Sequence, residues 1–81
     1  MRAKLLNRIA IDPRIMLGKP VIRGTRITVE QILEKLAADV SIEDILTDYP
    51  RLSRLDVLAA LAYARAVVGT DEVIPRTPAR G

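Results

Sequence analysis

The 81-residue chain has no cysteine and no histidine. Without thiols it cannot be stapled by disulfides, and thiolate metal sites are excluded. Without imidazole it lacks the commonest metal ligand and general base. Phenylalanine and tryptophan are absent as well, so Tyr49 and Tyr63 are the only aromatic residues. The core must therefore be built from Leu, Ile, Val and Ala. A chain this short buries only roughly 60–65% of its unfolded surface. It reads as one small domain for which a partner subunit is a natural supplement. Long hydrophobic runs are also missing. The longest, "VLAALAYA" (Val57–Ala64), spans eight residues, against the ~20 that a membrane span needs. The opening "MRAKLLNRIAI" has basic residues but no apolar stretch of the secretory kind. These absences lead us to expect a soluble cytoplasmic protein with no membrane partner.

What is present is unevenly distributed charge. Residues 1–27 carry seven Lys/Arg against Asp12 alone, whereas residues 28–50 carry six Asp/Glu against Lys35 alone. A basic arm ahead of an acidic helical segment suggests a polyanionic partner for the arm, although small soluble domains need surface charge in any case. The densest part of the arm is "GKPVIRGTRITV" (Gly18–Val29), with two glycines, one proline, three basic side chains and four β-branched apolar residues.

"RIAI" (Arg8–Ile11) alternates at period two and predicts a short strand. "DPRIMLG" reads as a turn or a single helical turn. "PVIRGTRITV" has apolar-rich arms around Arg23-Gly24-Thr25, the pattern of a hairpin or a bent extended arm. Pro20 cannot donate to a ladder and belongs at a strand start or edge. Three helices follow. Thr28 with Gln31 forms a capping box, and Val29, Ile32, Leu33, Leu36, Ala37 and Val40 make one apolar stripe at helical period. Ser41 caps a second helix carrying Ile42, Ile45, Leu46 and Tyr49, which Pro50 ends. Ser53, with Asp56 three residues later, caps a third. That helix is apolar nearly all round and is expected to stop at Gly69 in a left-handed conformation. The expected organisation is a basic β arm at 1–27, a tri-helical helix-turn-helix core at 28–69 and a flexible tail at 70–81. The fold class is mostly α with a short N-terminal β arm or hairpin.

Few residues suggest chemistry. Glu30 with Glu34, and Asp44 with Asp48, could share a divalent cation, but such pairs are more often a solvated face. "GKP" at 18–20 lacks the spacing of a phosphate-binding loop. Tyr49 and Tyr63 sit at apolar-stripe positions and read as core residues. We expect no enzyme, no cofactor and no metal. DNA is the better fit. Two helices joined by "PRL" are arranged as in a helix-turn-helix, which would present Arg51, Ser53 and Arg54 to the major groove, with Asp56 and Val57 one turn on. In the arm, Lys19, Arg23 and Arg26 could reach phosphates or a minor groove while Val21, Ile22, Ile27 and Val29 pack down. Alternatively, the arm's strands pair with those of a second chain.

The segments "IDPRIMLGKPVIRGTRITVEQIL" and "SIEDILTDYPRLSRLDVLAALAYA" together resemble the domain of unknown function family four-three-three, over about residues 8–65. Members of that family are often described as VapB-type antitoxins of type II toxin–antitoxin pairs. The resemblance implies a homeodomain-like helix-turn-helix with a β arm, usually dimeric. It also implies operator DNA at the chain's own promoter as one partner and a PIN-like ribonuclease toxin as the other. The chain departs from the family pattern at Asp39, where a glycine is usual after the first helix. On this reading the tail from Val73 to Gly81 would bind the toxin. Val73 and Ile74 would fill an apolar groove, and Arg76 and Arg80 would reach an acidic metal site. The competing expectation is a protein-interaction module whose acidic face (Glu30, Glu34, Glu43, Asp44, Asp48) docks a basic partner without any role for DNA.

Overall fold

Four helices and a two-stranded antiparallel sheet make up the fold in the computed structural model, which describes residues 2–71. In chain order they are α1 (Arg2–Leu6), β1 (Ile9–Ala10), β2 (Val21–Ile22), α2 (Val29–Ala37), α3 (Ile42–Asp48) and α4 (Arg54–Asp71). The strands pair in the register Ile9↔Ile22 and Ala10↔Val21. The chain is thus mostly helical with a short N-terminal hairpin, as its periodicity predicts.

The arm closes on itself. Thr25 N–H donates to Ile22 O at 2.9 Å, and Gly24 takes φ +84°. A positive φ at the third position is what a type II turn requires, and only glycine adopts it without steric cost. Past the turn, Ile22 N–H donates to Ile27 O and Val29 N–H to Pro20 O, both at 2.9 Å. Val21, Ile22 and Val29 are buried and Ile27 is half-buried. The apolar residues of the arm therefore do pack down, onto their own chain. Between β1 and β2, Met16, Leu17 and Gly18 form a tight left-handed turn, with Met16 at φ 48° and Leu17 at φ 59°. Leu17 is left 93% exposed there.

Each core helix starts where its cap predicts. Thr28 Oγ1 accepts from Gln31 N at 2.9 Å and Gln31 Oε1 accepts from Thr28 N at 2.8 Å, closing the capping box. Ser41 Oγ accepts from Asp44 N at 3.1 Å. Ser53 N–H donates to Asp56 Oδ2 at 2.9 Å, reciprocally with Asp56 N–H to Ser53 Oγ at 3.4 Å. The end of α2 falls earlier than the apolar stripe suggests. Asp39 is left-handed at φ 67°. Val40 N–H reaches Lys35 O, and Asp39 N–H reaches Leu36 O, both at 3.0 Å. That pair of bonds is a Schellman stop, with aspartate in the place usually held by glycine.

Ile9, Ile22, Val29, Ile32, Ile45, Leu52, Val57, Ala59 and Ala60 form the buried cluster, with Tyr49 and Tyr63 packed against it. Ala59 and Ala60 are fully buried, so these alanines of α4 serve close approach. Two sequence expectations fail. The first residues form α1, which packs across α4 and sends Leu5 onto the core. Gly69 does not stop α4: it lacks a positive φ, and the helix continues to Asp71. A glycine costs a helix only about 1 kcal/mol, so it ends one only where the chain also turns away.

Candidate nucleic-acid interface

The arm and the start of α4 carry the six residues that the sequence marks for DNA, and the structure sorts them by what each side chain already holds. Arg23 is turned inward. Its Nε donates to Asn7 O at 2.8 Å and its Nη2 to Ile9 O at 3.1 Å. It fastens α1 and β1 to the turn and is not offered to a ligand. Ser53 spends its hydroxyl on the α4 cap. Asp56 and Val57 are corrected outright. Val57 is 0% exposed, and the Asp56 side chain is buried in the cap and in an ion pair with Arg8 at 3.1 Å. Neither can face a groove. Lys19 pairs with Glu30 at 3.0 Å, and Arg54 approaches Glu43 at 3.9 Å. Both pairs are exposed, and such pairs contribute little, so these two cations stay available.

Arg26 and Arg51 differ from the rest. Arg51 Nη2 donates to Gly24 O at 3.1 Å, which holds this guanidinium against the turn. Arg26 has no side-chain partner among the described residues. Both arginines line one cleft of about 480 Å³, together with Ile15, Gly24 and Thr25. No carboxylate of the described residues lines it. The fold thus joins one residue of the arm to one in the connection between α3 and α4, 25 positions on by their numbering.

Elsewhere the charges are largely matched. Asp12 accepts from the Arg14 guanidinium at 2.9 and 3.1 Å and from its backbone N–H at 2.9 Å. The guanidinium first, and the N–H second, hold the Asp12 carboxyl below its ordinary range. Lys35 is half-buried, 3.3 Å from Asp48 and 5.5 Å from the centre of the Tyr49 ring. The acidic face is therefore partly neutralised within the chain, at Glu30, Glu43 and Asp48. Among the described residues no cluster of three or more carboxylates is placed to hold a metal ion. No helix there is long and apolar enough to cross a membrane. The tail residues Val73, Ile74, Arg76 and Arg80 lie outside the described residues.

A second concavity, of about 550 Å³, lies between α2 and α4. Val29, Leu33, Ala37, Tyr63 and Ala64 give it an apolar floor, and Glu30 and Glu34 stand on its α2 side. The sequence points to it only indirectly, through the nearly all-round apolar character of α4.

Residues 9–64 match the family described as "Protein of unknown function (DUF433)". The chain belongs to that family. The match spans both strands, α2, α3 and more than half of α4, so every residue of the Arg26–Arg51 cleft falls inside the family domain. A curated relative, "Uncharacterized protein y4eO" of Sinorhizobium fredii, is 36% identical over 58 residues. The alignment covers 72% of this chain but 26% of the relative, so the chain spans about a quarter of the length of the curated relative it matches. No solved structure matches.

Proposed function

We propose that the chain is a DNA-binding antitoxin of a type II toxin–antitoxin pair, acting in the cytoplasm as a homodimer that represses its own operon. The observation carrying the DNA part is the convergence of Arg26 and Arg51 in a cleft lined by no carboxylate of the described residues, with the exposed Arg54 three positions past Arg51 at the start of α4. Two helices meeting across the short Tyr49–Ser53 connection, with cations at the start of the second, suit a helix that enters a groove. Phosphate contacts would position the domain, and Arg54 is the residue left to read a base edge. The toxin part rests on the family resemblance and on the composition of Val73–Gly81.

Fluorescence anisotropy against the DNA upstream of the chain's own gene, with a scrambled duplex alongside, tests the first part at two salt concentrations. A several-hundred-fold preference on top of a steep salt slope is expected. Equal binding to both would reduce the reading to phosphate attraction, and no binding to either would end it. Deleting residues 72–81, which leaves α4 whole, should abolish inhibition of the PIN-like toxin and spare DNA binding. Inhibition retained by the shortened chain would refute the assignment of the tail.

The α2–α4 groove favours a second reading, a protein-interaction module without DNA binding. On that reading, changing Arg51 and Arg54 to alanine alters nothing, whereas Leu33→Asp in the groove floor removes association with the partner.

A further inference from the structure

We propose that Arg26 and Arg51 form a clamp for a single phosphate group across the Ile22–Thr25 turn. This deepens the DNA reading by naming the ligand of the cleft, and it rests on that reading only for the source of the phosphate.

The inference comes from how the positive charges are matched. Arg8, Arg14, Lys19, Lys35 and Arg54 each have a carboxylate within 4 Å, and Arg23 has two carbonyl oxygens. Among the described residues Arg26 and Arg51 have no carboxylate partner, yet they line the same cleft. Among the described residues Lys4 and Arg65 also lack one, but they stand elsewhere, on α1 and on the far half of α4. Two like charges in one cleft repel each other, and an anion between them removes that cost. The guanidinium fork matches the geometry of phosphate oxygens.

The walls suit a phosphate as well. Arg51 is held in place by the carbonyl of Gly24, so its orientation is set before a ligand arrives. A side-chain carbon built on Gly24 would meet nothing within 4 Å, so the turn is open to approach from outside. The backbone N–H groups of Gly24 and Arg26 have no partner among the described residues. Two cationic forks and two unused amide donors at one open turn amount to a phosphate cradle. Apart from the two arginines no side chain of the cleft is left to read a base: Thr25 spends its hydroxyl on Ile22 O at 2.8 Å and Ile27 N at 3.0 Å. The clamp therefore contributes affinity without sequence preference.

Two sources present this chemistry, the diester backbone of a nucleic acid and free phosphate. The test follows the amide resonances of Gly24, Thr25 and Arg26 in the full chain. Inorganic phosphate is added at constant ionic strength, then the native and scrambled duplexes, to the wild type, Arg26→Gln and Arg51→Lys. The Arg26 side chain makes no hydrogen bond or ion pair among the described residues, so Arg26→Gln is expected to stay folded, and Arg51→Lys retains a charge at the second position. Phosphate is expected to move these amides saturably in the wild type and not in Arg26→Gln. Both duplexes should move the same amides. Arg26→Gln should weaken both duplexes by the same factor, about fivefold to tenfold, and flatten the salt slope by about 1. Arg51→Lys should fall between the two.

Phosphate binding without duplex binding leaves the clamp standing, makes free phosphate its ligand and overturns the DNA reading. Duplex binding that Arg26→Gln leaves unchanged overturns the clamp and leaves the DNA reading. A loss confined to the native duplex would make Arg26 a base reader and also overturns the clamp. Amides that move with neither ligand overturn the clamp, and the absence of duplex binding alongside overturns the DNA reading as well.

Discussion

Arg23 and Arg26 stand three residues apart on the same arm, on either side of Gly24, and their surroundings are opposite. Arg23 folds back onto the carbonyls of Asn7 and Ile9. Arg26 points into a cleft shared with Arg51 and holds nothing. The same contrast recurs further along the chain, where Arg8 is locked to the buried Asp56 while Arg54 stands in an exposed pair. One set of arginines is held by the fold, and the other is the set proposed to meet a ligand. Basic composition alone does not distinguish them; the distinction lies in whether the chain offers a buried or part-buried acceptor, as it does to Arg8 and Arg23, or an exposed one or none, as it does to Arg51, Arg54 and Arg26.

Substitutions can break this contrast from either side. The largest effect on stability is expected at the inner set. Asp56→Ala removes the acceptor of the Ser53 cap and strands Arg8, so it should cost about 2–3 kcal/mol in urea unfolding. A loss below about 0.5 kcal/mol would show that the network is ornamental. Arg23→Gln loses two charge-assisted bonds to carbonyls, one of them exposed, and should cost about 1–2 kcal/mol. Asp39→Gly acts in the opposite direction. It relieves a left-handed aspartate at the end of α2 and should stabilise by about 1 kcal/mol, read as a rise in thermal midpoint. A fall in midpoint would mean that the aspartate side chain contributes to the turn.

The smallest effect is the pH dependence at Asp12. Its carboxyl is held below its ordinary value in the folded chain, chiefly by the Arg14 guanidinium. It therefore contributes stability above the unfolded carboxylate range and loses that contribution as the pH falls through the lower, folded value. The pair is exposed, so Asp12→Asn should flatten the acid limb of the stability curve only slightly. An unchanged limb would show that the pair does not persist in solution.

Much of the fold was legible because its signals are local. Thr28 with Gln31, Ser41, and Ser53 with Asp56 each mark a helix start within four residues, and each forms the cap that its spacing implies. Asp39 was marked only through the family resemblance, as standing where a glycine is usual, and it is left-handed in the fold. The candidate site was legible only as a list of cations. Arg8 and Asp56 are 48 positions apart, and no local pattern joins them. Asp56 accordingly read as one more groove contact, when it is the residue that ties the N-terminal segment to α4. Arg23 and Arg26 were indistinguishable because the acceptors that claim Arg23 are backbone carbonyls, which every residue carries. The length of α4 was misread at Gly69 because glycine permits a helix stop without compelling one, and nothing turns the chain there.

The most direct test sets Arg23→Gln against Arg26→Gln, with thermal stability and affinity for a scrambled duplex measured on both proteins. The account predicts a crossed result. Arg23→Gln should lose stability and, once corrected for the folded fraction, bind like the wild type, whereas Arg26→Gln should keep its stability and bind more weakly. If the two variants lose stability and affinity together, or if Arg26→Gln binds like the wild type, the division into structural and ligand-facing arginines is wrong.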